Sequence, residues 1–284
     1  MKEIEIKKNL LRLAVNLPSD KLTETEVESL RSSITNLESV DPSFFRIIPL
    51  IHVGLIKIGY FDGLPEKDKE YLKRQTAKLA VVQLAAKAQI LFTCKKFKTL
   101  NIDVILLKSA AFNGWIYEAQ YPRHSNDIDL LVMGCDWEAA SKHSTENMNK
   151  LAPTEINPFD DLYETSFVPV GKIGANLDLH KHLINPLMFN ISEVEIWQNK
   201  INHPVLEMEN IFMLCPEHAF IHQAVHAFRD LDFEKYNLID SCLILGVKGL
   251  DFPKMLRISK SWEVSIPVYC LCSSISRMIG SDIN

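Results

Sequence analysis

The segment Asn126-Asp127-Ile128-Asp129-Leu130-Leu131-Val132 sets two carboxylates two residues apart at the head of an apolar run. On a β-strand, alternation puts Asp127 and Asp129 on one face while Ile128 and Leu130 turn into a core. Two carboxylates one strand step apart repel each other unless a cation lies between them, and removing either charge is expected to relieve that repulsion. Magnesium commonly takes one or two carboxylates and completes its shell with substrate phosphates. A second ion, about 4 Å away, can share the same acids and activate an attacking hydroxyl. The competing reading is an exposed acidic edge strand, because Asp-x-Asp is a short pattern.

Three further groups fit the same chemistry. Val104-Ile105-Leu106-Leu107 runs into Lys108-Ser109-Ala110-Ala111, a strand entering a helix through a Lys-Ser turn. Amides at a helix start, with Lys108 and Ser109 adding donors, suit phosphate. Arg123, four residues before Asp127, is a second cation for phosphate. Downstream, alternation along Ala175-Asn176-Leu177-Asp178-Leu179-His180 puts Asn176, Asp178 and His180 on one face. A third acid at Asp178 would serve as base for an attacking hydroxyl or as ligand to a second ion. His180 and His182 stand beside it as supporting groups, with His182 near the strand end. His218, His222 and His226 share one helix face, followed a turn later by Asp230. Without a His-Glu-x-x-His pattern or an obvious fourth ligand, they are expected to line or brace the cleft, not to bind zinc.

The elements that must position these groups are legible from periodicity and punctuation. Helices are expected over 4–15 and 23–37, the latter opening in a Thr-Glu-Thr-Glu capping register. A buried helix over 42–59 should be kinked or split by Pro49. A long helix starts at Pro65 and runs to about 98, acidic at its start and basic at its end. Its apolar middle, Leu-Ala-Val-Val-Gln-Leu-Ala-Ala-Lys-Ala-Gln-Ile-Leu, suggests burial on more than one side. Strands are expected at 104–107, 127–132, 164–170 and 175–183, the last two as a hairpin across Gly171-Lys172-Ile173-Gly174. Helices are expected over 109–117 and 136–148, and again from 216 with breaks near 246–253 and at Pro267. The fold class is therefore α+β and mostly helical, with a small mixed sheet. An N-terminal helical region (1–100) and a C-terminal one (206–284) wrap an α/β core (101–205).

Composition narrows the setting. Of 284 residues, 47% are hydrophobic and 24% charged, which excludes a largely disordered chain. The 36 acids against 31 bases leave a net charge of −5, so no global field draws nucleic acid; Lys95, Lys96 and Lys98 form a short basic cluster. The cysteines Cys94, Cys135, Cys215, Cys242, Cys270 and Cys272 show no zinc-ligand spacing and are read as reduced. With no uninterrupted apolar run near 20 residues and no cleavage-site pattern, no membrane partner and a cytoplasmic location are expected.

Taken in order, Leu-Leu-Lys-Ser-Ala-Ala-Phe, Tyr121-Pro122-Arg123, Asp-Ile-Asp-Leu-Leu-Val and Leu-Asp-Leu-His resemble the uncharacterised nucleotidyltransferase family of the DNA polymerase β superfamily. The likeness extends over most of the chain, including a C-terminal helical segment with His218, His222, His226 and Asp240. It implies Asp127, Asp129 and Asp178 as catalytic metal ligands for Mg²⁺ or Mn²⁺. It also implies a nucleotide-phosphate turn at Lys108 and Ser109 and transfer of a nucleoside monophosphate from an NTP, with ATP expected. The family carries glycine where this chain has Ser109, and a side chain there blocks the closest approach of backbone to a triphosphate. The acceptor hydroxyl is left open among a small molecule, peptide or protein, with RNA less favoured. A non-catalytic nucleotide-binding or regulatory module of the same fold, and a toxin-like enzyme acting on RNA, are the alternatives.

Overall fold

A computed structural model of the chain describes residues 3–15, 42–118, 123–151, 162–170, 174–233 and 235–280. The helix expected at 23–37, Tyr121-Pro122 and most of the 171–174 turn lie outside the described residues.

Among the described residues the N-terminal region holds three α-helices: α1 (Glu3–Ala14), α2 (Ile48–Lys57) and α3 (Glu66–Thr99). A 3₁₀ turn, Pro42–Ile47, leads into α2, and Pro49 sits in its first turn, where the missing N–H costs nothing. The expected split at Pro49 is thus a boundary between two helix types. Helix α1 crosses α2 closely enough that a Cβ on Gly54 would stand 2.2 Å from the carbonyl oxygen of Leu13, so only glycine fits there.

Helix α3 departs from expectation. Its buried stripe runs Leu72, Gln75, Thr76, Leu79, Gln83, Ala86, Ile90, Cys94 and Phe97, one face at helical spacing. The opposite face leaves Val81, Leu84 and Phe92 more than half exposed, so the apolar middle is buried on one side only. Polar residues on the inner face are bonded: Thr76 Oγ1 lies 3.0 Å from His52 Nδ1, and Gln83 donates to the Ser125 carbonyl at 2.9 Å. By length and composition alone α3 could cross a membrane, although it holds no uninterrupted apolar run of that length; Lys78, Gln83, Lys87 and Gln89 punctuate its apolar middle without lowering the average hydropathy enough.

Among the described residues the sheet has seven strands: β1 (Val104–Leu106), β2 (Asp127–Val132), β3 (Met148–Lys150), β4 (Glu164–Pro169), β5 (Asn176–His180), β6 (Ile201–Asn202) and β7 (Ile211–Met213). Their order is β3-β4-β5-β2-β1-β7-β6, with β2–β5 and β1–β7 parallel and the other pairs antiparallel. The sheet therefore reaches past residue 205 into the expected C-terminal helical region. Short helices α4 (Lys108–Phe112), α5 (Trp137–Asn147) and α6 (Glu193–Gln198) connect it. Helix α4 ends five residues earlier than the expected 117, because the chain turns through Gly114 at φ +89°. The C-terminal helices are α7 (Pro216–Asp230), α8 (Lys235–Leu245), α9 (Phe252–Ser261) and α10 (Ser265–Met278). One continuous apolar core draws Leu10 and Ile51, Leu130 and Leu179, and Phe220 and Leu271 from all three regions.

Candidate functional site

Strands β2 and β5 run side by side in parallel, with Asp127 opposite Asn176, Asp129 opposite Asp178 and Leu131 opposite His180. Directly opposed residues share a face, so Asp127, Asp129 and Asp178 lie on the same side of two adjacent strands. Antiparallel β4 adds Ser166 opposite Asp178 and Glu164 opposite His180. Ile128, Leu130, Leu177 and Leu179, on the reverse face, are buried in the core.

The acids are bonded as a set. Lys108 Nζ donates to Asp129 Oδ1 at 2.7 Å, and His180 Nε2 lies 3.3 Å from the same oxygen. Asn176 Nδ2 donates to Asp127 Oδ1 at 3.2 Å, and Ser166 Oγ donates to Asp178 Oδ1 at 2.6 Å. Glu164 Oε2 stands 3.3 Å from His180 Nδ1, and Tyr163 donates to Oε1 of Glu164 at 2.9 Å.

Burial opposes ionisation of Asp129, only 2% exposed, yet Lys108 and then His180 hold it well below the usual carboxylate range. Its expected release on substitution by Asn is thereby corrected: this acid is paired, and its loss would strand a buried ammonium. The other two acids behave as expected of repelling neighbours. Asp127 is raised by burial and then by the charge of Asp129. Asp178 is pushed up to about 6 by burial and then by Asp129, against the Ser166 hydrogen bond. Burial works against the charge on Lys108, but Asp129, Glu164 and Asp178 outweigh it and keep the ammonium protonated.

The Lys-Ser turn hangs on this strand. Leu107 N–H donates to the Asp129 carbonyl at 3.1 Å, which brings the Lys108 ammonium to the acids. The left-handed backbone of the turn falls on Lys108, at φ +46°, not on the following residue. Ser109 therefore needs no glycine-like torsion. It is buried and, with Asp127, lines a cavity of about 300 Å³ between α3 and α4.

Helix α7 brings two more expected residues to the acids. His222 is held down at about 3 by burial and then by the charges of Lys108 and His180. Burial followed by Lys108 likewise puts His226 well below its usual value, so both rings are neutral above the acid face. Not every expected residue joins. His182 lies beyond the end of β5 and bonds Glu193. His218 stacks on Trp262 with ring centroids 5.0 Å apart.

The Arg123 side chain is engaged elsewhere. Its Nε donates to both oxygens of Asp240, at 3.0 and 2.8 Å, and its guanidinium lies 4.3 Å from the centre of the Tyr236 ring. Tyr117 donates to the same carboxylate. The arginine whose charge acts on Asp127 is instead the exposed Arg46, on the turn before α2. Sequence reasoning missed Arg46, Glu164 and Ser166. Alternation along β4 marks the last two as face-sharing residues, but only strand order shows whose face they share.

The donor set suits a hard divalent cation: carboxylate oxygens that raise one another's affinity for positive charge, with no thiolate among them. A lysine ammonium already stands in for one positive charge at Asp129. Among the described residues, no three acid, histidine or cysteine side chains converge as a ready-made metal cluster. Asp127, Asp129 and Asp178 share a face, but the expected three-acid metal cluster is therefore not assembled as such.

The model of the family described as uncharacterised nucleotidyltransferase matches residues 44–280. The chain belongs to that family. Membership carries nucleotidyl transfer in general as the activity and an NTP as the class of substrate. A search of curated proteins finds no match.

Proposed function

We propose that this protein is a metal-dependent nucleotidyltransferase that moves a nucleoside monophosphate from an NTP, with ATP the expected donor, to an acceptor hydroxyl. The observation that carries the reading is the register of Asp129 opposite Asp178, beside Asp127 and beneath the Lys108 ammonium. Asp127 and Asp129 would hold Mg²⁺ or Mn²⁺, with Asp178 as the third acid. The cation supplies positive charge that neutralises the triphosphate and the attacking oxygen. Lys108 Nζ and Arg46 add charge for the phosphates, and Ser109 lines the same cavity as Asp127. The acceptor proton passes to Asp178, and neutral His222 and His226 exclude water from the acid face without adding charge. Arg123 is a positioning residue here, tying the segment before β2 to α8 through Asp240.

A non-catalytic module has one observation in its favour, the pairing and near-complete burial of Asp129. Thermal melts separate the two readings. Mn²⁺ with ATP at a hundred times its Kd should stabilise the wild type by about 2.7 kcal/mol and raise its midpoint. Asp127→Asn, which leaves the Lys108–Asp129 pair intact, should show little shift and no transfer. Equal shifts in both proteins would place the ion elsewhere and overturn the site. A shift in the wild type without incorporation of label from α-³²P-ATP into any acceptor fraction would favour the non-catalytic module.

A further inference from the structure

The cavity between α3 and α4 is not explained by the acid face alone. Ser109 and Asp127 are part of its lining, while Ala80, Leu84, Ile90 and Leu206 supply apolar walls. At about 300 Å³ it is the size of a small-molecule pocket.

Its polar side chains show what it cannot recognise. Gln83, Asn113 and Lys87 also line it; the two amides are already engaged, and Lys87 adds one ammonium. Gln83 Nε2 donates to the Ser125 carbonyl, and Asn113 Oδ1 accepts from the Arg123 N–H at 2.6 Å while its Nδ2 donates to the Arg123 carbonyl at 3.1 Å. Among the described residues, none of the lining side chains is aromatic. A nucleobase is held by stacking on rings and by hydrogen bonds to its edges; this pocket offers no ring, and its two amides are already bonded. An apolar body needs neither. Leu84, 67% exposed at the rim, continues onto Val81, 66% exposed and one helical turn earlier, so the wall runs outward as an apolar strip.

We propose that this pocket is the acceptor site, and that the acceptor is an amphiphile: an apolar body in the pocket with a hydroxyl toward Asp127. This rests on the nucleotidyl-transfer reading above. In the reaction, the acceptor oxygen forms a bond to the α-phosphorus of the NTP. The bond from that phosphorus to the oxygen bridging to the β-phosphate breaks, pyrophosphate leaves with its electron pair, and the hydroxyl proton goes to Asp178.

The test uses the full chain and 2-naphthaleneethanol as probe, followed by fluorescence without nucleotide. Saturable binding is expected in the wild type. Leu84→Arg, at an exposed rim position, should weaken it at least tenfold. Phe92→Arg, exposed on the same helix but outside this cavity, should leave it unchanged. Val205→Asp, at a half-exposed position of the lining, provides a second pocket variant. Glycerol and adenosine should not compete. Competition by adenosine would make this the nucleobase site and overturn the proposal, as would binding indifferent to both pocket variants. The ATP and Mn²⁺ melts keep the two readings apart. Probe binding that responds to Leu84→Arg, without any ATP-dependent shift, would keep the pocket and overturn the transfer reading on which its acceptor role rests.

Discussion

The Arg123–Asp240 cluster and the acid face of β2 and β5 both bury charge, and they balance it differently. In the first, one guanidinium meets one carboxylate, and Tyr117 and Tyr236 complete the surroundings. In the second, Asp127, Asp129, Asp178 and Glu164 share the ammonium of Lys108, while His222 and His226 stay neutral. Arg229 reaches this group through the Tyr163 hydroxyl at 2.6 Å. A balanced buried pair is finished when the chain folds. An acid set with too little positive charge holds repulsion that only protons or an added cation relieve.

The strongest way to test the contrast is to break the balanced pair. Arg123→Ala should destabilise the fold by about 3–5 kcal/mol, because Asp240 is then a buried charge without a partner. Chemical denaturation reads this directly, and a loss below about 1 kcal/mol would mean that water reaches the carboxylate. The same kind of deletion on the acid face should act with the opposite sign. Asp178→Asn at pH 7 should raise stability by roughly 1–2 kcal/mol, since it removes a charge that burial and Asp129 both oppose. Destabilisation instead would show that the three acids are already compensated.

A third test sharpens the comparison through pH. Asp178 sits at about 6 in the folded chain and near 4 when unfolded, so the native state binds the extra proton between those values. Its contribution is therefore fully present below about pH 4 and is lost as pH rises through about 6. Melts across that window should show wild-type stability falling with rising pH, and Asp178→Asn should flatten that slope. Asp129, held low by Lys108, acts in the reverse sense, and its contribution is lost only in more acidic solution. The smallest effect belongs to Ser166→Ala. Losing the hydrogen bond to the Asp178 carboxylate should cost about 1 kcal/mol at pH 7 and move the Asp178 titration further upward, which carboxyl-carbon NMR would follow.

What was readable in the chain was local. The alternation of Asp127 and Asp129 with Ile128 and Leu130 needs only the two-residue period of a strand. The same holds for Asn176, Asp178 and His180, and for the shared helical face of His222 and His226. The split expected at Pro49 and the helix start at Pro65 follow from a ring that fixes φ and removes an N–H donor. Periodicity does not say how many neighbours an element has, which is why α3 looked buried on more than one side and is packed on one face. Nor does it say where a side chain's partner lies. Arg123, four residues from Asp127, points to Asp240, 117 residues away, and is held there in a geometry that local spacing does not encode.

By itself the sequence determined which residue types alternate on which strand, where helices begin, and that carboxylates and a lysine recur at spacings suited to phosphate chemistry. Only the tertiary structure decided that β5 lies beside β2 in a register that opposes Asp129 and Asp178. It also decided that α7 brings His222 and His226 within the electrostatic reach of Lys108 and Asp129, and that Lys108 meets Asp129 through a left-handed turn. The reason is physical. Strand period and helix capping act between neighbours in the chain, whereas strand order, burial and charge pairing come from packing segments far apart in sequence, where each charge takes its partner from whatever the fold brings beside it.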